Sequence, residues 1–340
     1  MLPDWMCGVR CGGGGDMTQN KHFKALVRAR MARTGESYSI SRGHLLGALK
    51  PITPELVAEF KAHDRHTSSL AFVPGRGELL SGGFSGQARI WSTHDWSSTG
   101  ELVGHIGSVN GFGHSGDGTR VVTASSDKSV RLWDLPARAE IATLGKHRKP
   151  VVAVDISADG DLAATGSYDG TVVIWSIADL SEMNRIKVGD RVSSVSFHPL
   201  KNWLATGSVS NEVLVLEPDG GEVARLAAGG PVTAVGWTGD GEFLIAVGAN
   251  IVRLWSREDW EAVRTIEVAT TWIAPFAVNN DSSLLAVGWE HHVGVWKVDD
   301  DQPAAVIDGL PKGVYNLDFS DDGKLLAMGA ADGRVRVWRL

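Results

Sequence analysis

Histidine is the residue type in this chain best placed to do chemistry. Neutral imidazole ligates metals, and its proton moves near neutral pH. His63, His105 and His147 form an evenly spaced trio, 42 residues apart each time. Ligands so far apart converge only if the fold folds them together. A spacing that repeats with whole structural units instead puts one histidine at the same place in each unit, which is a structural role. His291 and His292, flanked by Trp289 and Glu290, are adjacent. Neighbouring side chains on a turn rarely point together, so a contact patch around Trp289 is expected there rather than a metal site. Cys7 and Cys11 are the only cysteines, too few to close a zinc site. Asp321-Asp322 has no evident acid–base partner, and Gly12 to Gly15 open no helix after a strand. No Gly-x-Ser-x-Gly, phosphate-loop or His-Glu-x-x-His pattern occurs. Neither a catalytic, a cofactor nor a metal residue is assigned.

The elements that carry these residues repeat. Trp91, Trp133, Trp175, Trp255, Trp296 and Trp338 each close a short apolar phrase, at successive gaps of 42, 42, 80, 41 and 42 residues. The long gap is two periods, with Leu216 at the missing place. Seven units follow, and a period near forty means a repeat architecture. Within a unit, apolar runs of four to six residues alternate with Gly and Asp clusters, the signature of strands and hairpins. Asp117-Gly118, Asp159-Gly160, Asp240-Gly241 and Asp322-Gly323 recur at one place, where a tight turn needs positive φ. No unit holds a helical run long enough for a crossover, so neighbouring strands must pair antiparallel.

These residues resemble the WD40-repeat family, down to a literal Trp133-Asp134. The resemblance covers residues 55–340 and implies an all-β, seven-bladed propeller. It also implies a polar tetrad: a His bonds a Ser or Thr, which bonds the Asp of the next turn, and a Trp completes the set. Two units match in full, His105, Thr123, Asp127, Trp133 and His147, Thr165, Asp169, Trp175. His63, Ser81 and Trp91 form a partial set with Ser85 for the Asp. Asp332 and Trp338 form another, with Leu310 and Met328 for the His and Thr. The middle units have lost most polar members, and apolar packing should replace them. Residues 56–61, ahead of His63, match the segments ahead of His105 and His147. They are expected to supply the outer strand of the last blade and latch the ring, since an open edge invites aggregation.

Residues 1–18 read as a disordered start. Residues 19–50 read as a basic helical hairpin, with Phe23, Leu26, Val27 and Met31 at helical spacing. Residues 17–50 carry +6, whereas residues 51–340 carry −12 of a chain total of −7. The function the resemblance implies is a non-catalytic scaffold that binds a protein or peptide on the propeller face, as a monomer. Two alternatives stand beside it. One is recruitment of nucleic acid or an acidic partner through residues 19–50; the other is an enzyme with its site at the channel mouth. Val109, Val151, Val192, Val232, Trp272 and Val314, at the strand starts expected to face the channel, argue against the enzyme. Phe84, Tyr168 and Trp289 fall in equivalent turns, and Arg65, His66, Arg148, Lys149 and Arg191 precede the first strands. With His291, these are the candidate partner-binding face. No apolar run suits a signal or a membrane span, and a repeat region without cysteine suits a reducing cytoplasm.

Overall fold

A computed structural model describes residues 52–340, apart from 249, 269–274, 290, 299, 301 and 311–312. The chain divides into two units, Met1–Lys50 and Pro51–Leu340, and the description concerns the second. The expected start at 1–18 and hairpin at 19–50 lie outside the described residues, as do Trp272 and Glu290.

The described residues form seven four-stranded antiparallel sheets. Blades 1 to 6 occupy residues 67–102, 109–146, 151–187, 192–227, 232–267 and 276–307 in chain order. Blade 7 takes Val314–Phe319, Leu325–Ala330 and Arg334–Arg339, and its fourth strand is Glu55–Lys61 from the other end of the chain. Each blade's first strand touches the first strand of the next blade, and the last returns to the first, so the ring closes. Burial explains the sequence texture. A middle strand such as Leu204–Ser208 is buried throughout because blades cover both faces, whereas the outermost Ser181–Lys187 is largely exposed. The Asp-Gly hairpins form as expected. Gly118 has φ 65 and Gly160 φ 77, and Asp117 Oδ1 accepts the Thr119 N–H at 3.0 Å to fix the turn.

Two features depart from expectation. First, the valines at the strand starts do not face the channel. Val109, Val151, Val192 and Val232 are at most 1 % exposed and wedge between blades. A Cβ added to Gly166 would lie 2.5 Å from Val192 Cγ1, so only glycine lets that valine seat. These positions therefore say nothing about the channel wall. Second, register slips just after the first residue of the innermost strand in blades 1 to 5 and 7. The extra residue, Ser68, Asn110, Val152, Ser193, Thr233 or Tyr315, is left unpaired and re-aimed. In most blades it turns to neighbouring polar groups: Asn110 Nδ2 donates to Val151 O at 2.7 Å and Ser193 Oγ to Val232 O at 2.6 Å. Tyr315 instead stands exposed.

Innermost strands leave one edge without a sheet neighbour, so their N–H groups need other partners. Between blades 7 and 1 side chains supply them. Asn316 Oδ1 accepts from Leu70 N at 3.2 Å, Asp318 Oδ2 from Phe72 N at 2.6 Å, and Asp321 Oδ2 from Gly75 N at 2.7 Å. Burial pushes the Asp318 carboxyl up to about 7 despite its N–H donors, and Asp321 adds to the rise. Burial likewise lifts Asp155, which accepts from Phe197 N, to about 6. A folded-state value above the unfolded one means the native chain keeps protons that the unfolded chain has lost. Stability should then fall as pH rises from about 4 to about 7. Asp318→Asn keeps the acceptor and removes the charge, so urea midpoints should decline less across that whole window. An unchanged slope would show that Asp318 does not titrate there.

Candidate partner-binding face

The two full tetrads position the turns of this face. His105 Nδ1 lies 2.8 Å from Asp127 Oδ2, His105 Nε2 2.7 Å from Thr123 Oγ1, and Trp133 Nε1 donates to Thr123 Oγ1 at 2.9 Å. The blade 3 set repeats this: His147 to Asp169 at 3.2 Å, His147 to Thr165 at 2.9 Å, and Trp175 to Thr165 at 2.9 Å. The order differs from the one the resemblance implies, because the aspartate bonds the histidine and not the threonine. Chemistry fixes the direction. Carboxylate only accepts, so His Nδ1–H donates to it and Nε2 is left as acceptor. Indole N–H only donates, so the threonine oxygen takes that bond and gives its own proton to Nε2.

Electrostatics agree with this relay. Burial lowers both His105 and His147, which keeps them neutral. Burial opposes ionisation of Asp127, yet donors at Ser129, His105 and Ile106 hold its carboxyl well below the usual range. Asp169 is lowered in the same way, by Thr171 and the Arg148 N–H among others. The oxygen that meets the histidine also ties down the turn ahead of the innermost strand: Asp127 Oδ2 accepts Ile106 N at 3.1 Å and Asp169 Oδ2 accepts Arg148 N at 2.8 Å. The outcome is two stiff turns that present Ile106 and Arg148 to solvent.

The partial sets are looser. His63 Nε2 and Trp91 Nε1 both meet Ser81 Oγ at 2.9 Å, while buried His63 Nδ1 lacks a partner where Ser85 replaces the aspartate. Burial and then Arg89 lower His63 to about 4. In blade 7, Asp332 pairs with Arg336 at 2.8 Å, Leu310 and Met328 are buried, and Trp338 Nε1 is buried without a partner.

Of the face residues, Phe84 and Tyr168 stand in turns at 45 % and 37 % exposure. Each carries a guanidinium over its ring: Arg65 at 5.4 Å from Phe84 and Arg191 at 5.5 Å from Tyr168. His66 packs between Phe84, at 5.2 Å, and Tyr315, at 5.5 Å between ring centres. Arg148 and Lys149 are exposed on the turn beside Tyr168. Trp289 does not join them. Trp296 pairs with Leu285, and Trp175 with Ala163, so the blade 6 hairpin is one residue shorter. That shift puts Trp289 on the last strand residue, opposite His292, where it packs 5.7 Å from Trp296. His291 is likewise engaged, its Nδ1 2.8 Å from Leu310 O, and His292 Nδ1 lies 2.8 Å from Asp308. Tyr315 was not legible as a face residue, since its position reads as an ordinary strand residue until the bulge re-aims it. Among the described residues no group of three His, Cys, Asp or Glu could hold a metal, and no helix is long and apolar enough to cross a membrane.

Comparison with known proteins follows this geometry. The model "IFT122 first beta-propeller" matches residues 108–338, and "WD domain, G-beta repeat" matches residues 54–92. Serine-threonine kinase receptor-associated protein of Dictyostelium discoideum is 28 % identical over 297 residues, 82 % of this chain and 96 % of that protein. Pre-mRNA-processing factor 19 of Oryza sativa subsp. japonica is 25 % identical over 305 residues, 84 % of this chain but 58 % of that one. Autophagy-related protein 16 of Arabidopsis thaliana is 21 % identical over 288 residues, with 56 % of its length spanned.

Proposed function

The chain belongs to the WD-repeat β-propeller family, in the group described by the IFT122 first-propeller model, and from that premise we propose that it is a non-catalytic scaffold. It holds a protein or peptide segment on the turn-bearing face of blades 7, 1, 2, 3 and 4. The observation that carries this reading is the pair of aromatic–guanidinium stations, Phe84 with Arg65 and Tyr168 with Arg191, each with its ring part-exposed on a turn. Aromatic and arginine side chains dominate interface energetics when a partner desolvates them. One relative's name records association with a kinase receptor, which accords with a protein partner here. The chain works as a monomer in the cytoplasm on this reading.

Replacing Phe84, Tyr168 and Tyr315 together with alanine should weaken partner binding by about 2 kcal/mol or more. The fold should persist, because exposed side chains, two on turns and one on a bulge, contribute little to a propeller core. Affinity capture with mass spectrometry identifies the partner, and titration beside circular dichroism reads the loss. Full binding by the folded triple variant would place the interaction elsewhere, with residues 19–50 the next segment to test.

A further inference from the structure

Charge is distributed unevenly over the face. Residues 51–340 carry −12, yet the turns of blades 1 to 4 expose Arg65, Lys128, Arg148, Lys149 and Arg191 against Asp64 and Asp190, a net of +3. The two other acids of these turns, Asp127 and Asp169, are tied to their histidines with side chains 7 % and 5 % exposed. Blade 5 offers no charge in the same places, where residues 228–231 read Ala-Gly-Gly-Pro and 250 is Asn. Across the described turns of blades 1 to 5, the cations are thus a local reversal of sign on an acidic body. Apolar groups are interleaved with them: Ile106 is 89 % exposed and Val209 39 %.

Resting on the face-binding reading above, we infer that the partner segment is an acidic peptide carrying bulky apolar side chains. Its carboxylates meet the guanidinium and ammonium groups of blades 1, 3 and 4. Its apolar groups lie on Ile106 between the Phe84 and Tyr168 stations. Complementary potentials set specificity and on-rate, so at contact distance these cations attract an acidic segment and repel a basic one, while the charge of the acidic body is screened beyond about 10 Å. A nucleic acid fits the arc less well. Asp64 and Asp190 interrupt the cations, and exposed Ile106 and Val209 have no use for a continuous phosphate backbone.

The test uses the full chain. Labelled peptides of about a dozen residues, one alternating Glu with Leu and Phe, the other with Lys for Glu, are titrated by fluorescence anisotropy at two salt concentrations. The acidic peptide should bind and the basic one should not. The combined variant Arg65→Glu, Arg148→Glu, Arg191→Glu should weaken the acidic peptide about tenfold or more and reverse the preference. Arg→Gln at the same three positions gives a milder version, should the reversal perturb folding as read by circular dichroism. Equal binding of both peptides, binding of neither, or displacement of the acidic peptide by a single-stranded oligonucleotide of equal length overturns the inference. A captured partner that is lost on removing Phe84, Tyr168 and Tyr315 but kept after charge reversal sinks the acidic chemistry alone. One kept by both variants sinks the face-binding reading too.

Discussion

Replacing Trp175 with alanine should cost the propeller about 3–5 kcal/mol, the range for removing a large buried aromatic. The indole is 1 % exposed and sits in the shared core of blades 2 and 3, against Leu144, Ile156 and Ala163 among others. Its outer ring edge occupies the space beside Gly145, where an added Cβ would come within 2.6 Å. Two losses combine. The apolar ring leaves a cavity that rigid strands cannot fill, and Thr165 Oγ1 loses the N–H donor that closes the relay. Trp203→Ala is the contrasting substitution. That ring is only part-buried and donates to Glu217 at 2.7 Å near the surface, so it should cost clearly less. Urea unfolding of both variants gives the comparison. A Trp175→Ala cost below about 1 kcal/mol would mean that the relay and its core do not hold the blade.

Much of this was legible in the chain because one side chain marks six of the seven units, with Leu216 in its place in the other. Tryptophan on the third strand is large and buried in a fixed register opposite the second, so its recurrence reports the blade period directly. The polar tetrads were legible for a related reason, since a buried His, Thr and Asp need one another's hydrogen bonds and must stay in step. Register is where legibility ended. A bulge is one residue of slippage in pairing, and no residue type announces it, so nothing in the sequence marks Tyr315 as exposed or Val109 as wedged between blades. The blade 6 hairpin shows the same limit. Counted along the chain, Trp289 matches Tyr168. Counted across the ladder, where Leu285 faces Trp296, it falls inside the strand. The direction of the relay was likewise hidden, because spacing alone does not say whether the carboxylate meets the hydroxyl or the imidazole.

Removing residues 1–62 should abolish the monomeric propeller, while removing 1–50 should keep the ring closed. The latch Glu55–Lys61 pairs along Arg334–Arg339, with Leu56 opposite Trp338 and Phe60 opposite Val335. Three kinds of interaction end together when it is lost. Backbone groups of Arg334–Arg339 lose their outer partner, which leaves a bare edge on the third strand. Phe60, 4.5 Å from Trp91 between ring centres, links the latch to the core of blade 1, so its removal opens that core as well. Ion pairs go too: Arg339 with Glu55 at 3.1 Å, and Arg336 with Glu59 at 3.0 Å. The exposed pairs are worth little singly, so the edge and the aromatic contact decide the outcome. The seam between blades 7 and 1 would keep Asn316, Asp318 and Asp321 and the apolar cluster of Leu70 and Phe72 with Ala327 and Val337, but these do not cover the open outer edge. Size-exclusion chromatography with thermal unfolding reads the result, as aggregation or loss of a cooperative transition. Adding a peptide of residues 52–62 should partly restore the transition, because the edge accepts the same strand in trans. A 1–62 truncation that stays monomeric and melts with the shorter one would show that the ring closes without its latch.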